Sequence, residues 1–166
     1  MVPIKILKEA NIFKNLNDAQ LEKLASIAES ETHRAGTLLF KEGNVTNHFY
    51  IVEEGKVSLR IAIDMGPMQA PMQFPMATVT RGEAMAWSAL VEPHKHSVSG
   101  LCMEDSKLVS VEAGKLRELV DQDPALGLAV MKGIAKLLAS RLRDARILMF
   151  SERAAAQLQE MKTPGY

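Results

Sequence analysis

Three short apolar runs, each closed by a glycine turn, constrain this chain more than any other feature. Leu38-Leu39-Phe40 follows Gly36 and ends at Glu42-Gly43-Asn44, while Phe49-Tyr50-Ile51-Val52 ends at Glu54-Gly55. Val57, Leu59, Ile61 and Ile63 then alternate with Lys56, Ser58, Arg60 and Ala62. Runs this short, bounded by turn residues, read as strands rather than helices. The strict alternation predicts a strand with one face in a core and the other toward water. Thr78-Val79-Thr80 begins another strand pair, and Val98 to Met103 and Lys107 to Val111 complete the β region.

Helical periodicity brackets these strands. Asn17 and Gln20 have capping-box spacing, Leu16 and Leu21 suit a hydrophobic staple, and Leu21, Leu24, Ala25 and Ala28 repeat at helical intervals. This predicts a short helix ending near Glu31. Lys115 to Val120 reads as a second short helix. Asp123-Pro124 is a strong start signal, a capping Asp followed by Pro at the first helical position. From there a long amphipathic helix runs to about Met161, with a bend expected near Gly133 or after Phe150. Residues 64–76 hold three prolines and four methionines. Proline donates nothing to a sheet ladder, so the segment reads as a long hairpin loop. Its methionines would rest on the protein's own barrel or on a partner. Short strands followed by helices imply an α+β arrangement or a β-roll with a helical lid.

Hydrophobic residues make up 47% of the 166-residue chain and charged residues 24%, which suits one packed domain. With formal net charge +0 there is no overall basic footprint for nucleic acid. The lone cysteine, Cys102, lies in an apolar run, excludes an internal disulfide and reads as a buried small hydrophobe. No segment has the length of a membrane span or the form of a signal peptide, so a soluble, cytoplasmic protein is expected. Of the four histidines, His94 and His96 would share a face on a strand, but no partners stand at metal-ligand spacing. Glu53 and Glu54 are adjacent, would diverge on a strand and read as solvated turn residues. No hydrolase, phosphate-loop or metalloprotease motif occurs, and an enzyme is not expected.

The succession of a helix, "AGTLLFKEGN", "HFYIVEEGKVSLRI", "RGEAMAWSALVE", "EDSKLVSVEAGKL" and a long terminal helix resembles the cyclic-nucleotide-binding domain. That domain is the sensor of the catabolite activator protein family and of cyclic-nucleotide-regulated kinases and channels. The resemblance spans roughly residues 8–150, with Gly36, Gly43, Gly55 and Gly82 at strand junctions where a tight roll needs φ > 0. It implies a mainly β fold, a double-stranded jelly-roll-like β-helix with N-terminal helices and a long C-terminal helix. It also implies a phosphate-binding cassette: Gly-Glu, then small and apolar residues, then Pro-Arg and a small residue. In the family the Glu holds the ribose and the Arg the cyclic phosphate.

Two registers fit that cassette. One places Gly82-Glu83 on the Gly-Glu. The other, preferred because it keeps Ser88-Ala89-Leu90 on the apolar segment, places Ala86-Trp87 there and His96-Ser97 on the Arg and the residue after it. Neither finds a Pro-Arg, since Pro93 precedes His94, and Lys95 is the only fixed cation nearby. The expected ligand-binding residues are Gly82, Glu83, Ala86, Trp87, Ser88, Ala89, Lys95, His96 and Ser97, with no catalytic or metal-binding residues.

The resemblance therefore implies a ligand-sensing regulatory domain with a degenerate cassette. Weak or no binding of cAMP or cGMP is expected, with another small anion as the alternative ligand and no certain cofactor. Family members that hold haem through His or Cys make Cys102 or a histidine a formal candidate ligand only. The domain is expected to cover residues 1–166, with the β-roll and its N-terminal helix at 8–121 and a lid and dimerisation helix at 123–161. Leu138, Leu142, Ala145, Leu148 and Met149 would form the seam of a homodimer, flanked by Arg141, Arg143, Asp144 and Arg146. The residues after Ala156 are too few for the family's DNA-binding module, so direct DNA binding is not expected, and an effector protein of unknown identity is. The rival reading is a protein-interaction module with a vestigial pocket.

Overall fold

The computed structural model describes residues 2–162, with side chains described for all of these except residue 152 and residues 156–162. Helix α1 (Ile4–Glu9) precedes α2 (Asp18–Ser26). The capping box expected at α2 is formed. The Gln20 amide donates to the Asn17 side chain at 2.9 Å, and the Asn17 amide donates to the Gln20 side chain at 3.0 Å. The helix stops at Ser26, short of the expected end near Glu31, because Ala28–His33 is a strand, β1. Its residues are polar and carry no period of two. Its conformation comes from backbone pairing, Ala28 to His33 against Val111 to Ser106.

Seven further strands follow: β2 (Leu38–Phe40), β3 (His48–Glu54), β4 (Val57–Ile63), β5 (Met72–Val79), β6 (Ala84–Met85), β7 (Ser99–Cys102) and β8 (Ser106–Glu112). They form two four-stranded antiparallel sheets in the orders β1-β8-β3-β6 and β2-β7-β4-β5. Phe40, Tyr50, Val52, Val57, Val79, Met85, Cys102 and Leu108, drawn from both sheets, pack into one cluster inside the roll. This is the double-stranded β-helix that the resemblance implies. Cys102 is buried in that cluster, and burial pushes its thiol up from the ordinary value against a weaker opposing hydrogen bond with Ser106.

β3 is buried on both faces. Tyr50 and Val52 face the interior of the roll, while Phe49 and Ile51 join a second cluster with Leu7, Leu24, Leu116, Leu126 and Ile134 from the helices and Phe13 from the turn between α1 and α2. This is why its sequence reads as a continuous apolar run. β4 departs from its expected alternation. Val57 and Ser58 are buried, but Ala62 and Ile63 are exposed, because β7 pairs only with Val57 to Arg60 and the outer half continues as a ribbon with β5.

β5 corrects the expected loop, which spans 64–71 rather than 64–76. Pro75 lies within β5, on the sheet's edge, where its missing N–H costs no ladder bond. The register with β4 slips between Leu59 and Arg60, leaving Met76 as the extra residue of a bulge. Glu53 is also corrected: it is 8% exposed, and its Oε1 accepts from Lys107 Nζ at 2.9 Å. Glu54 is exposed as expected.

Helix α3 (Ala113–Gln122) leads to α4 (Pro124–Lys162), which starts at the expected Asp123 cap. The Leu126 amide donates to Asp123 Oδ1 at 3.0 Å, and Lys23 Nζ donates to Oδ2 at 2.7 Å. α4 runs as one helix through both expected bend points, Gly133 and Phe150. Gly133 serves instead as a point of close approach, since a Cβ there would collide with the Ile12 backbone. No helix among the described residues is long and apolar enough to cross a membrane.

Candidate functional site

The segment after β5 turns sharply at Gly82, whose φ of +77° suits a residue without a Cβ. The Gly82 amide donates to the Val52 carbonyl at 2.8 Å, and its carbonyl accepts from the Asn11 amide at 2.8 Å. Glu83 closes the turn. Its Oε2 accepts from the Thr80 amide at 2.9 Å and the Thr80 hydroxyl at 3.1 Å. β6 ends at Met85, and Ala86 after it adopts a left-handed conformation (φ +59°), as a glycine would at that point. A single 3-10 turn, Trp87–Ala89, follows.

Ala84 to Ser88 of this segment border a cavity of about 390 Å³ between the roll and α4. Phe40, Leu59, Met76, Thr78 and Met85 form its strand walls, with Val98 just before β7 and the bulge at Met76 beside it. Ala86, Trp87, Ser88, His96 and Ser97 line one side. Leu137, Leu138, Arg141, Asp144, Ala145 and Leu148 of α4 close the other. The size and largely apolar lining, with a few polar groups, fit a small-molecule site.

Five of the nine expected residues thus meet at the cavity and four do not. Gly82 and Glu83 build the turn, Ala89 is buried in the helical core, and Lys95 sits in a loop bridged to Val45. His94 and His96 do not share a strand face as expected. They lie outside the strands and face different cavities. His94 Nδ1 lies 3.1 Å from the Ser88 carbonyl. His96 is 6% exposed and stacks on Phe40 with ring centroids 4.3 Å apart, and Phe40 stacks in turn on Tyr50. Burial lowers the proton affinity of His96, so its ring is neutral at neutral pH. Burial, with a lesser contribution from the Glu31 carboxylate, pushes Tyr50 up to about 12.

Sequence reasoning missed four residues here. Thr46 shares a buried hydrogen bond with the Ser88 hydroxyl at 2.8 Å, so that hydroxyl is already engaged. Arg117 of α3 donates to the Ala89 carbonyl at 2.8 Å and braces the 3-10 turn from behind. Arg141 and Asp144, expected to flank an intermolecular seam, instead line the cavity. Arg141 Nη2 lies 3.4 Å from Glu83 Oε1. Helical spacing was the available signal for this pair, because both sit on the stripe formed by Leu137, Leu138, Ala145 and Leu148. No signal in the chain pointed to Thr46 or Arg117, which meet the cassette only through the tertiary fold. Among the described residues, no cluster of His, Cys, Asp and Glu is arranged to hold a metal ion.

The family model described as "Cyclic nucleotide-binding domain" matches residues 30–123, more than half of the chain. A candidate cyclic nucleotide-binding protein from Geobacter metallireducens superposes with a TM-score of 0.73 at 25% identity, covering 86% of this chain and 99% of that one. Cyclic AMP receptor protein of Thermus thermophilus is 24% identical over 139 residues, 84% of this chain and 60% of its own length. The cGMP-dependent protein kinase, isozyme 1, of Drosophila melanogaster is 25% identical over 96 residues, 58% of this chain and 12% of the kinase. The chain therefore spans only part of these two relatives.

Proposed function

Because the chain belongs to the cyclic nucleotide-binding domain family, we propose that it is a ligand-sensing regulatory domain whose cassette has lost its charged contacts. cAMP and cGMP then bind weakly or not at all, and another small anionic molecule is the ligand. The carrying observation is His96: where the preferred register expects an arginine, a buried, neutral imidazole stacks on Phe40. Removing one partner from a buried charge pair costs roughly 2–5 kcal/mol, about 30- to several-thousand-fold in affinity. Trp87, at the position of the ribose-binding acid, cannot accept from a hydroxyl.

The domain would comprise the β-roll with its N-terminal helix (8–121) and the lid and dimerisation helix (123–161). A ligand favouring one placement of α4 would shift its population and pass the signal to an effector protein. No catalytic role is assigned to any residue. A cytoplasmic location suits a chain whose one thiol is buried and unpaired. Calorimetry tests the reading: cAMP and cGMP should show no binding tighter than micromolar, and submicromolar cAMP affinity overturns it. The rival, an interaction module with a vestigial pocket, draws support from the exposed methionines Met65, Met68, Met72 and Met76. A thermal-shift screen of nucleotides and anionic metabolites separates the two: stabilisation by one compound favours sensing, and a flat screen favours the rival.

A further inference from the structure

We infer that Arg141 of α4 supplies the anion contact that the cassette lacks, that Glu83 competes with the ligand for it, and that the ligand is a mono-anion with a mainly apolar body. This inference rests on the reading of the cavity as a ligand site. Among the described residues lining the cavity, Arg141 is the one permanent cation, since the His96 imidazole is kept neutral by burial. Its pairing with Glu83 is loose. The contact is 3.4 Å, longer than the 2.7–2.9 Å usual for a charge-assisted bond, and single-pronged. It is the one side-chain hydrogen bond Arg141 makes among the described residues, and a guanidinium carries five N–H donors.

Glu83 is held for this role. Two bonds from Thr80 fix its Oε2, and Oε1 is left toward Arg141. The carboxylate sits on the turn outside the cavity lining, so it meets the guanidinium at the rim. A ligand anion would replace Glu83 at Arg141 and transfer the α4 turn that carries the arginine from the rim to the bound molecule.

The ligand's chemistry follows from the walls. Asp144 also lines the cavity, so a dianion would meet one cation and one opposing carboxylate. A single charge is better matched. The rest of the lining is dominated by Phe40, Leu59, Met85, Leu137, Leu138 and Leu148, which suit an apolar body.

The test is calorimetric titration of the full chain with octanoate and octanamide, an anion and its uncharged near-isostere. The emission of Trp87, the only tryptophan and a cavity residue, reports whether the compound sits there. Wild-type protein should bind octanoate more tightly than octanamide. Arg141→Gln should weaken octanoate about 10- to 100-fold and leave octanamide unchanged. Arg141→Lys should restore part of the preference. Glu83→Gln keeps an acceptor for Thr80 and should strengthen octanoate several-fold by removing its competitor.

An Arg141→Gln protein that still prefers octanoate overturns the role of Arg141. A Glu83→Gln protein that binds octanoate no better than wild type overturns the exchange. Failure of both compounds to bind wild type overturns the ligand class. The sensing reading falls separately, only if the wider screen is flat.

Discussion

His96 is the residue at which cavity and stability meet. Its ring is buried against Phe40, and burial holds its proton affinity below the ordinary histidine value of about 6.5. Between that value and the lower folded one, the unfolded chain binds a proton that the folded chain does not. Stability therefore rises with pH through this window and is lost on acidification, levelling off below the folded pKa. Thermal unfolding followed from about pH 7.5 to 5 should show a steeper acid loss in the wild type than in His96→Gln. Equal slopes would mean that the ring titrates freely in the folded state. An anion in the cavity would oppose the effect by favouring the imidazolium. At this scale the sequence was half legible. Cassette spacing identified Ala86, Trp87, Ser88, His96 and Ser97 as neighbours. It could not identify Thr46 or Arg117, because their contacts with the Ser88 hydroxyl and the Ala89 carbonyl cross 42 and 28 positions of chain.

At the scale of elements, local chemistry was read well and non-local pairing poorly. The Asn17–Gln20 box and the Asp123-Pro124 start are each complete within a few residues, so both helix starts were legible. β1 was not, because a polar strand shows no period and is held by β8, far along the chain. Pro75 misled for a related reason: proline excludes a central strand, but only the sheet order reveals that β5 lies at an edge. Gly133 gives a prediction at this scale. Alanine is the better helix former by about 1 kcal/mol, so Gly133→Ala on a free helix should stabilise. Here its Cβ would press into the Ile12 backbone, which cannot yield as a flexible side chain can. Overpacking of this kind costs about 1–3 kcal/mol. Urea unfolding should show Gly133→Ala destabilised, with α4 displaced from the N-terminal helices. A variant more stable than wild type would show that the approach relaxes without cost.

Over the whole molecule, α4 divides into two parts with different burial. Leu126, Val130 and Ile134 are at most 1% exposed and belong to the helical core, and Leu137 and Leu138 continue to the cavity. Beyond Arg141 only one face of the helix, carrying Asp144, Ala145 and Leu148, still meets the cavity. Leu142, Ile147 and Phe150 are each 63% exposed and Met149 is 57% exposed. The single expected seam therefore separates into a cavity stripe, which takes Leu138, Ala145 and Leu148, and an outer stripe, which keeps Leu142 and Met149 and adds Ile147 and Phe150. A run of large apolar side chains on one exposed helix is more than a monomer usually leaves in water. A second copy of α4 across a two-fold axis would cover it with the same residues from both sides. Light scattering at micromolar concentration should give about twice the 18.3 kDa chain mass. Leu142→Asp with Phe150→Asp should reduce it to one chain mass without unfolding the roll, because neither residue is in its core. A wild-type mass of one chain would remove the dimer. Because Arg141 on the cavity side is the immediate neighbour of Leu142 on the outer stripe, a dimer would also let an event in one cavity reach the other through the paired helices. In that case octanoate should stabilise the wild-type dimer against dissociation, or loosen it, and do neither in Arg141→Gln.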